Sequence, residues 1–302
     1  MKIKAKKPLF ICGSTASGKS SLAIEIAKKF DGEVVNADAY QIYKGIEILS
    51  ATPSEKEQSI VPHHLYGTLP LSTELNAHLY REMAGTVIEG IQRRGKLPII
   101  TGGSGMYLKF LTHGPSPIPA SDPQIRAELE ARELQDLLNE LQACDPEVLA
   151  TFPPENKRYV VRALEIFRMT GKKSSFLKSH WDKLPIPPPR GILVAPTKEE
   201  TLSSIELRSQ EMLSSGAITE VKNLPSDDTS MPTASKAIGI REIRAFLAGE
   251  MTREQCEERL IISTRQYAKR QRNWFKHETW LHRLHPSECS PLPQIITSLV
   301  AD

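Results

Sequence analysis

Near the start of the chain, short apolar runs alternate with segments whose apolar residues have the spacing of a helix. The run Pro8–Cys12 ends at Gly13 and predicts a buried strand, and residues 20–30 place apolar side chains on one helical face. Further strands are predicted at Glu33–Asp38 and Leu97–Thr101, with an amphipathic helix over 77–94 between them. This alternation predicts a parallel, doubly wound α/β sheet flanked by helices.

Two proline-rich segments, 114–123 and 185–189, divide the chain. The pattern between them is helical, whereas residues 191–195 predict a strand that returns to the sheet, followed by helices and a proline-rich tail. We therefore predict an α/β core built from residues 1–120 and 190–302, with an inserted all-helical domain at 121–189.

Composition agrees with a soluble globular protein, because 39% of the 302 residues are hydrophobic and 25% are charged. Apolar runs are too short for a membrane span or a signal-peptide core, so we expect no membrane contact and a cytoplasmic location. The four cysteines are scattered, which predicts neither disulfides nor a cysteine-based zinc site. A formal net charge of +3 identifies no partner by itself.

The most specific motif, G-x-x-x-x-G-K-[ST], lies between the first strand and the first helix. Its residues here are Gly13, Ser14, Thr15, Ala16, Ser17, Gly18, Lys19 and Ser20. Backbone N–H groups of such a loop point at phosphate oxygens, the lysine adds a positive charge, and the serine hydroxyl can ligate Mg²⁺. The flanking elements favour a phosphate-binding P-loop, and hence a P-loop NTPase-like core, over a chance glycine-rich turn.

The surroundings of this loop differ from those of a hydrolysing NTPase. Such enzymes usually hold Mg²⁺ through an acid at the end of a second strand, whereas Leu97–Thr101 has none and leads into the turn 102–107. The nearest carboxylate leaving a predicted strand is Asp38. At a strand's carboxyl end it is suited to accept a proton or bind metal; the alternative is an aspartate that caps a turn.

Basic residues form two stripes. The first lies in the insertion, where Asn156 is expected to cap a helix, Gly171 to end it, and Arg158, Arg162 and Glu165 to share its polar face. Its basic members are Lys157, Arg158, Arg162, Arg168, Lys172, Lys173 and Lys178. Either stripe alone is more typical of a solvated helix face than of a phosphate-binding surface.

The second stripe follows a helix predicted to begin near Thr252, with a capping box between Thr252 and Gln255. Its members are Arg265, Lys269, Arg272 and Lys276, and Tyr267, Trp274 and Phe275 lie close by to pack or stack. Two stripes beside a phosphate site favour a nucleic-acid partner when they are taken together with the family resemblance described next.

Six ordered segments resemble the bacterial tRNA dimethylallyltransferases, which prenylate the exocyclic N6 amine of the adenosine 3′ of the anticodon. They are Gly-Ser-Thr-Ala-Ser-Gly-Lys-Ser (13–20), Asn-Ala-Asp-Ala-Tyr-Gln-Ile-Tyr (36–43), Gly-Gly-Ser-Gly-Met-Tyr (102–107), the segment 156–165, Lys-Ala-Ile-Gly (236–239) and Thr-Arg-Gln-Tyr-Ala-Lys-Arg-Gln (264–271). The family usually has Pro, Thr, Thr and Tyr where this chain has Ser14, Ser20, Ser104 and Ile240. Ser20 and Ser104 retain the hydroxyl, whereas Ile240 removes an aromatic ring.

The resemblance implies that the P-loop and Mg²⁺ bind dimethylallyl diphosphate, with Ser20 as a metal ligand. It further implies that Asp38 accepts the proton of the adenine amine, that Ser104 steadies the leaving oxygen, and that Arg208 stabilises the departing diphosphate. The implied tRNA contacts are Asp38, Ala39, Tyr40, Gln41, Ser104, Arg126, Arg158, Tyr159, Val160, Val161, Arg162, Arg265, Lys269 and Arg272. We expect Gln41 either to pair with an adenine edge or to face water, and the protein to be a monomer that binds the anticodon stem-loop.

Other functions remain as alternatives. A P-loop enzyme acting on a free nucleotide, either a kinase or an adenylate isopentenyltransferase, would not need a basic helical insertion. A nucleotide-gated binding module would need ATP or GTP affinity and a switch loop, and no guanine-reading N-K-x-D segment appears in this sequence. His63 and His64 are expected to be loop residues, because adjacent side chains do not share a helix face, and the tail around His285 and Cys289 has too few ligands for zinc.

Overall fold

The computed structural model describes residues 6–301. Residues 1–5, which begin the segment predicted to be too short for a signal peptide, and residue 302 lie outside the described residues. Within 6–301, no helix combines the length and the apolar character needed to cross a membrane.

A six-stranded, all-parallel sheet organises the core in the order β3-β2-β4-β1-β5-β6. Its strands are β1 (Leu9–Gly13), β2 (Gly32–Asn36), β3 (His63–His64), β4 (Leu97–Gly102), β5 (Arg190–Val194) and β6 (Leu281–Leu284). The predicted fold class, a P-loop NTPase-like parallel sheet flanked by helices, is confirmed.

Helices connect and cover these strands. Those before the insertion are α1 (Lys19–Phe30), α2 (Glu55–Gln58), α3 (Ala77–Arg93) and α4 (Gly105–His113). Those of the insertion are α5 (Pro123–Glu130), α6 (Leu134–Cys144), α7 (Pro146–Leu149), α8 (Lys157–Thr170) and α9 (Ser174–Trp181). Those after it are α10 (Lys198–Ser214), α11 (Ala217–Lys222), α12 (Ile240–Leu247), α13 (Arg253–Phe275) and α14 (Gln294–Ala301).

Both edge strands and the last helix were not predicted from the sequence pattern. The edge strand β3 has only two residues, His63 and His64, which is too short for an apolar alternation. The other edge strand, β6, reads Leu-His-Arg-Leu, and only its first residue is buried. Helix α14 lies in the tail that its prolines mark as irregular.

Alternation along the strands produces a separate apolar layer on each face of the sheet. Phe10 and Cys12 of β1 face one layer, which includes buried residues of α3, α4 and α11–α13. Leu9 and Ile11 face the other, which includes buried residues of α1 and Ile296 of α14. Successive strand side chains point to opposite faces, so a fully buried strand such as β1 serves both layers and appears as a continuous apolar run.

The chain forms two compact units: residues 1–112 with 187–302, and residues 113–186. The proline pattern predicts an insertion at 121–189, which overlaps the second unit. The helical unit has its own apolar core, which includes Leu137, Leu141, Val160 and Leu164. Gly171 ends α8 with a φ of 67°, as predicted. The predicted cap at Asn156 is wrong, because its side chain makes no capping hydrogen bond.

Glu165 also departs from the prediction, which placed it on the polar face of α8. Its side chain is fully buried and accepts hydrogen bonds from the Ser121 hydroxyl at 2.5 Å, the Asp122 N–H at 2.7 Å and the Arg162 guanidinium at 2.6 Å. These hydrogen bonds hold the pKa of Glu165 below its usual value although burial opposes them. Glu165 therefore anchors the first turn of α5 to α8.

Candidate functional site

The strand register brings three predicted segments together at the carboxyl edge of the sheet. Cys12 of β1 pairs with Gly102 of β4, and Asn36 of β2 pairs with Thr101 of β4. Three segments therefore follow the carboxyl ends of three adjacent strands: the P-loop, the segment with Asp38, and the turn after Gly102. They meet at the same edge of the sheet, which is where α/β sheets bind ligands.

The P-loop adopts the conformation that its glycines permit. Gly18 has a φ of 83° and immediately precedes the first residue of α1, so the free N–H groups of that helix point out of the loop. Residues 15–20 line a cavity of about 480 Å³ together with Asp38, Gln41 and Arg208. Ser14 is buried, and its carbonyl accepts a hydrogen bond from Lys19 Nζ at 3.1 Å.

Lys19 and Arg208 both contribute positive charge to this cavity. The pKa of Lys19 is lowered to about 8, chiefly by removal from water and also by Arg208, while Asp38 opposes the shift. Burial likewise lowers the pKa of Arg208, whose Nη1 lies 3.5 Å from the Thr15 hydroxyl. Positive charge that is partly withdrawn from water is stabilised by an anion, so the cavity is suited to a phosphate or diphosphate.

The segment that carries Asp38 is fixed by its neighbours. Asn36 is fully buried; its Oδ1 accepts the Asp38 N–H at 2.8 Å, and its Nδ2 donates to the Leu65 carbonyl at 2.9 Å. Asp38 Oδ1 in turn accepts the Tyr40 N–H at 3.0 Å. Asp38 therefore does form the turn that the alternative interpretation predicted, and it also lines the phosphate cavity.

Ser104 is the meeting point of three elements. Its hydroxyl accepts the Ala39 N–H at 3.0 Å and lies close to the Tyr267 phenol of α13. Burial, together with the charge of Asp38, raises the pKa of Tyr267, so its phenol stays protonated. This serine thus links the Asp38 segment, the β4–α4 turn and α13.

Gln271 of α13 joins the two glycine-rich turns and was not recognised from the sequence. Its Oε1 accepts the Thr15 N–H at 2.8 Å, and its Nε2 donates to the Gly103 carbonyl at 3.0 Å. A Cβ on Gly103 would lie 2.2 Å from that Nε2 and 2.7 Å from the Gly13 carbonyl, so this position needs a glycine. The only sequence signal was that Gln271 ends a family segment.

The side chain of Gln41 forms hydrogen bonds through its amide nitrogen. Its Nε2 donates to the Ser50 carbonyl at 3.1 Å and the Ala51 carbonyl at 2.7 Å, so the amide nitrogen fastens the loop that follows. Pairing of Gln41 with an adenine edge stays a prediction, and it would have to use the oxygen or break these bonds.

A second, smaller cavity of about 70 Å³ adjoins the first. Thr15, Asp38 and Arg208 line both cavities, and Tyr40 and Tyr267 line the second one. Its remaining walls are largely apolar and come from α10, α13 and the loop before α2. The site therefore has a polar part around the P-loop and an apolar part beyond Asp38.

The basic residues that were predicted to form a stripe on α13 are only partly available to an RNA ligand, because one of them is paired within the protein. The capping box between Thr252 and Gln255 is present, as predicted. Arg265 forms an ion pair with Glu206 at 2.5 Å, whereas Lys269 and Arg272 line a cavity of about 600 Å³. That cavity also contains Ser14, Lys198, Lys276 and Arg283. Such a basic surface fits an anion.

The predicted contacts in the helical unit divide by exposure. Arg158 is exposed, and Tyr159 is half-exposed and stacked on Phe152 with ring centroids 5.3 Å apart. Val160 and Val161 are fully buried, so the expectation that their side chains contact RNA is corrected: they belong to the apolar core.

The two remaining arginines of this set make internal bonds. Arg162 binds Glu165 and the Pro119 carbonyl. Arg126 binds Glu130 at 3.1 Å and the Ser121 hydroxyl at 3.1 Å. Their contact with RNA stays a prediction.

The polar cavity also offers oxygen ligands of the kind that Mg²⁺ prefers. The Ser20 hydroxyl and the Asp38 carboxylate both line it. Proteins commonly bind Mg²⁺ through one or two such groups plus the phosphates of a substrate. The residues present therefore fit a magnesium ion that binds together with a diphosphate.

A P-loop and a carboxylate at the carboxyl edge of a parallel sheet define a P-loop α/β protein whose cavity is suited to phosphate groups. The family model described as IPP transferase matches residues 41–278. The chain therefore belongs to the IPP transferase family, as the sequence motifs predicted.

Curated relatives agree over nearly the whole chain. A tRNA dimethylallyltransferase of Akkermansia muciniphila is 39% identical over 97% of this chain and 98% of its own length. A tRNA dimethylallyltransferase of Rhizobium etli is 38% identical over 94% of this chain and 99% of its own.

Two solved structures share the fold. A tRNA delta(2)-isopentenylpyrophosphate transferase from Staphylococcus epidermidis is 31% identical, with a TM-score of 0.68 over 98% of this chain and 99% of that chain. A eukaryotic dimethylallyltransferase described as acting on tRNA is 30% identical, with a TM-score of 0.76 over 93% of this chain and 74% of that chain.

Proposed function

We propose that this protein transfers a dimethylallyl group from dimethylallyl diphosphate to the N6 amine of the adenosine 3′-adjacent to the anticodon of tRNA. The observation that carries the proposal is the polar cavity lined by the P-loop with its Lys19, by Arg208 and by Asp38. The names of the relatives support tRNA as the acceptor.

The donor is a diphosphate ester, which suits this cavity. The N–H groups at the start of α1, Lys19 and Arg208 would bind the diphosphate. Mg²⁺, held by Ser20 and by the diphosphate itself, would neutralise part of its negative charge when bound.

Transfer forms a carbon–nitrogen bond and breaks a carbon–oxygen bond, and a proton moves from the amine to the protein. The N6 lone pair of adenine bonds to the allylic carbon, while the electron pair of the carbon–oxygen bond leaves with the diphosphate. Asp38 accepts the N6 proton, and Arg208 and Lys19 stabilise the charge that grows on the leaving oxygen. These cations bind the transition state more tightly than the ester because its diphosphate carries more charge.

The acceptor amine has to leave the anticodon stack before it reaches Asp38. Tyr40 lies two residues after Asp38 and is partly exposed, and an aromatic face of this kind can stack on an extruded base outside that small cavity. Lys269 and Arg272 of α13, with the exposed Arg158 of the helical unit, offer positive charge for RNA phosphates.

The test is label transfer with purified protein, Mg²⁺ and labelled dimethylallyl diphosphate. Parallel reactions contain unmodified tRNA with adenosine beside its anticodon, the same tRNA with guanosine at that position, or free AMP. We expect label only on the first. Label on AMP alone would identify a free-nucleotide isopentenyltransferase, and no label with tight ATP binding would favour a nucleotide kinase.

A further inference from the structure

Two buried leucines form part of the wall of the apolar part of the site. Leu49, from the loop before α2, and Leu260 of α13 both line the cavity of about 70 Å³ that begins at Thr15, Asp38 and Arg208. The two leucines are 5% and 2% exposed. Polar groups thus border one end of this space, and packed leucine side chains contribute to its apolar wall.

Both leucines press against a glycine. Gly239 has a φ of 102°, and a Cβ there would lie 2.5 Å from Leu49 Cδ1 and 3.2 Å from Leu260 Cδ1. The glycine thus lets the two side chains close over its backbone. A branched side chain at 239 would displace them.

The wall is also fixed from outside the cavity. Glu220 of α11 accepts the Ile48 N–H at 2.8 Å and the Leu49 N–H at 2.9 Å. The Gln41 amide holds the next two carbonyls of the same loop. Leu49 is therefore held by hydrogen bonds on both sides of its peptide, so the wall resists being pushed aside by a longer ligand.

The donor has two chemically different halves, and the site has two matching cavities. With the diphosphate in the polar cavity of about 480 Å³, the hydrocarbon would extend past Asp38 into the apolar cavity of about 70 Å³. A small apolar space accepts a short chain and excludes a long one by overlap with its walls.

Resting on the proposed function, we propose that Leu260 and Leu49 set the length of the isoprenoid chain, so that five carbons fit and ten do not. Leu260 is the principal residue, because it projects from a long helix that also carries Gln271 and Tyr267. Leu49, which meets the same glycine as Leu260, completes this part of the wall.

The test is a competition between two donors. Wild-type protein and Leu260→Ala are given equal concentrations of dimethylallyl and geranyl diphosphate with unmodified tRNA, and mass spectrometry measures the ratio of C10 to C5 product. We expect Leu260→Ala to raise this ratio about tenfold or more, and Leu49→Ala to raise it as well. Leu213→Ala is the matched control, because Leu213 is a buried leucine of α10 that does not line the cavity.

Folding of each variant is checked by thermal unfolding, and Leu260→Val replaces any Leu260→Ala protein that does not fold. A ratio in folded Leu260 and Leu49 variants that equals that of the wild type would overturn the proposal, as would an equal rise in Leu213→Ala. Failure of the proposed function would look different: the wild-type protein itself would place no C5 group on tRNA.

Discussion

Lys19 combines two properties that conflict unless an anion is bound: it is needed as a cation, yet its surroundings withdraw it from water. Its pKa is lowered to about 8, so a substantial fraction is neutral in mildly alkaline solution. A bound diphosphate would favour the charged form and raise this pKa again. Affinity for diphosphate and protonation of Lys19 are therefore linked.

We expect the affinity for inorganic diphosphate to fall about tenfold more between pH 7 and pH 9 than the ligand's own titration explains, because Lys19 loses its proton around pH 8. Calorimetry at both pH values measures this. Lys19→Arg is the control, because arginine stays charged throughout and should lose the extra dependence. Equal pH slopes for the two proteins would argue against the role of Lys19.

Asp38→Asn tests the proton acceptor with little disturbance of the loop. The amide oxygen can still accept the Tyr40 N–H, which lies 3.0 Å from Asp38 Oδ1. We expect kcat for prenyl transfer to fall roughly 10²–10⁴-fold, the range for loss of a general base, while tRNA binding changes far less. Single-turnover transfer and filter binding measure the two quantities, and near-normal turnover would contradict the assignment.

At the scale of elements, α13 contributes to several parts of the site at once. It supplies Leu260 and Tyr267 to the cavity beyond Asp38, Gln271 to the glycine-rich turns, and Lys269 and Arg272 to the basic surface. A helix is stiff, so the positions of these groups are coupled along 23 residues.

Gln271→Leu should remove the two hydrogen bonds by which Gln271 bridges Thr15 and Gly103. It leaves the Thr15 N–H and the Gly103 carbonyl without their partner, at a cost of about 1–3 kcal/mol each where they remain buried. We expect a higher KM for dimethylallyl diphosphate, a largely unchanged KM for tRNA and lower stability in urea. Gln266→Leu, at an exposed position of the same helix, is the control. A KM rise confined to tRNA would contradict this assignment.

Charge reversal on α13 tests the basic surface. Lys269→Glu with Arg272→Glu should weaken tRNA binding and reduce the slope of log K against log salt by about 0.9 for each phosphate that the variant no longer neutralises. Lys28→Glu with Lys29→Glu, at the exposed end of α1, serves as the control. An unchanged salt slope in the α13 variant would exclude phosphate binding there.

The sequence predicted those elements whose signals are local. The P-loop, α1 and the capping box at Thr252 each depend on a few consecutive residues, and each lies where expected. Gln271 contacts Thr15 across 256 positions, a pairing that no local pattern records. Burial of Glu165 depends on how helices of the insertion pack, so periodicity alone misjudged its exposure. The RNA contacts assigned to the buried Val160 and Val161 came from the family resemblance and not from periodicity.

At the scale of the whole molecule, the two compact units have separate apolar cores. Damage to one core should therefore leave the other folded. This separation provides a way to distinguish residues that bind diphosphate from residues that act through the helical unit.

Leu164→Ala is expected to lower the stability of the helical unit by about 2–5 kcal/mol, because it leaves a cavity at a fully buried position. Diphosphate affinity should stay the same, since the P-loop belongs to the other unit. Urea unfolding followed by two probes, one in each unit, together with calorimetry, tests this. A matching loss of diphosphate affinity would show that the two units are coupled.

The bridge between Thr15 and Gln271 has a consequence for biosynthesis. A ribosome releases the P-loop among the first residues, but Arg208 and Gln271 follow 193 and 256 positions after Thr15. Because synthesis proceeds from the N-terminus, a partly made chain carries a phosphate loop without its second cation or its clamp. Products truncated before residue 271 should therefore bind diphosphate poorly, which keeps substrate out of unfinished chains.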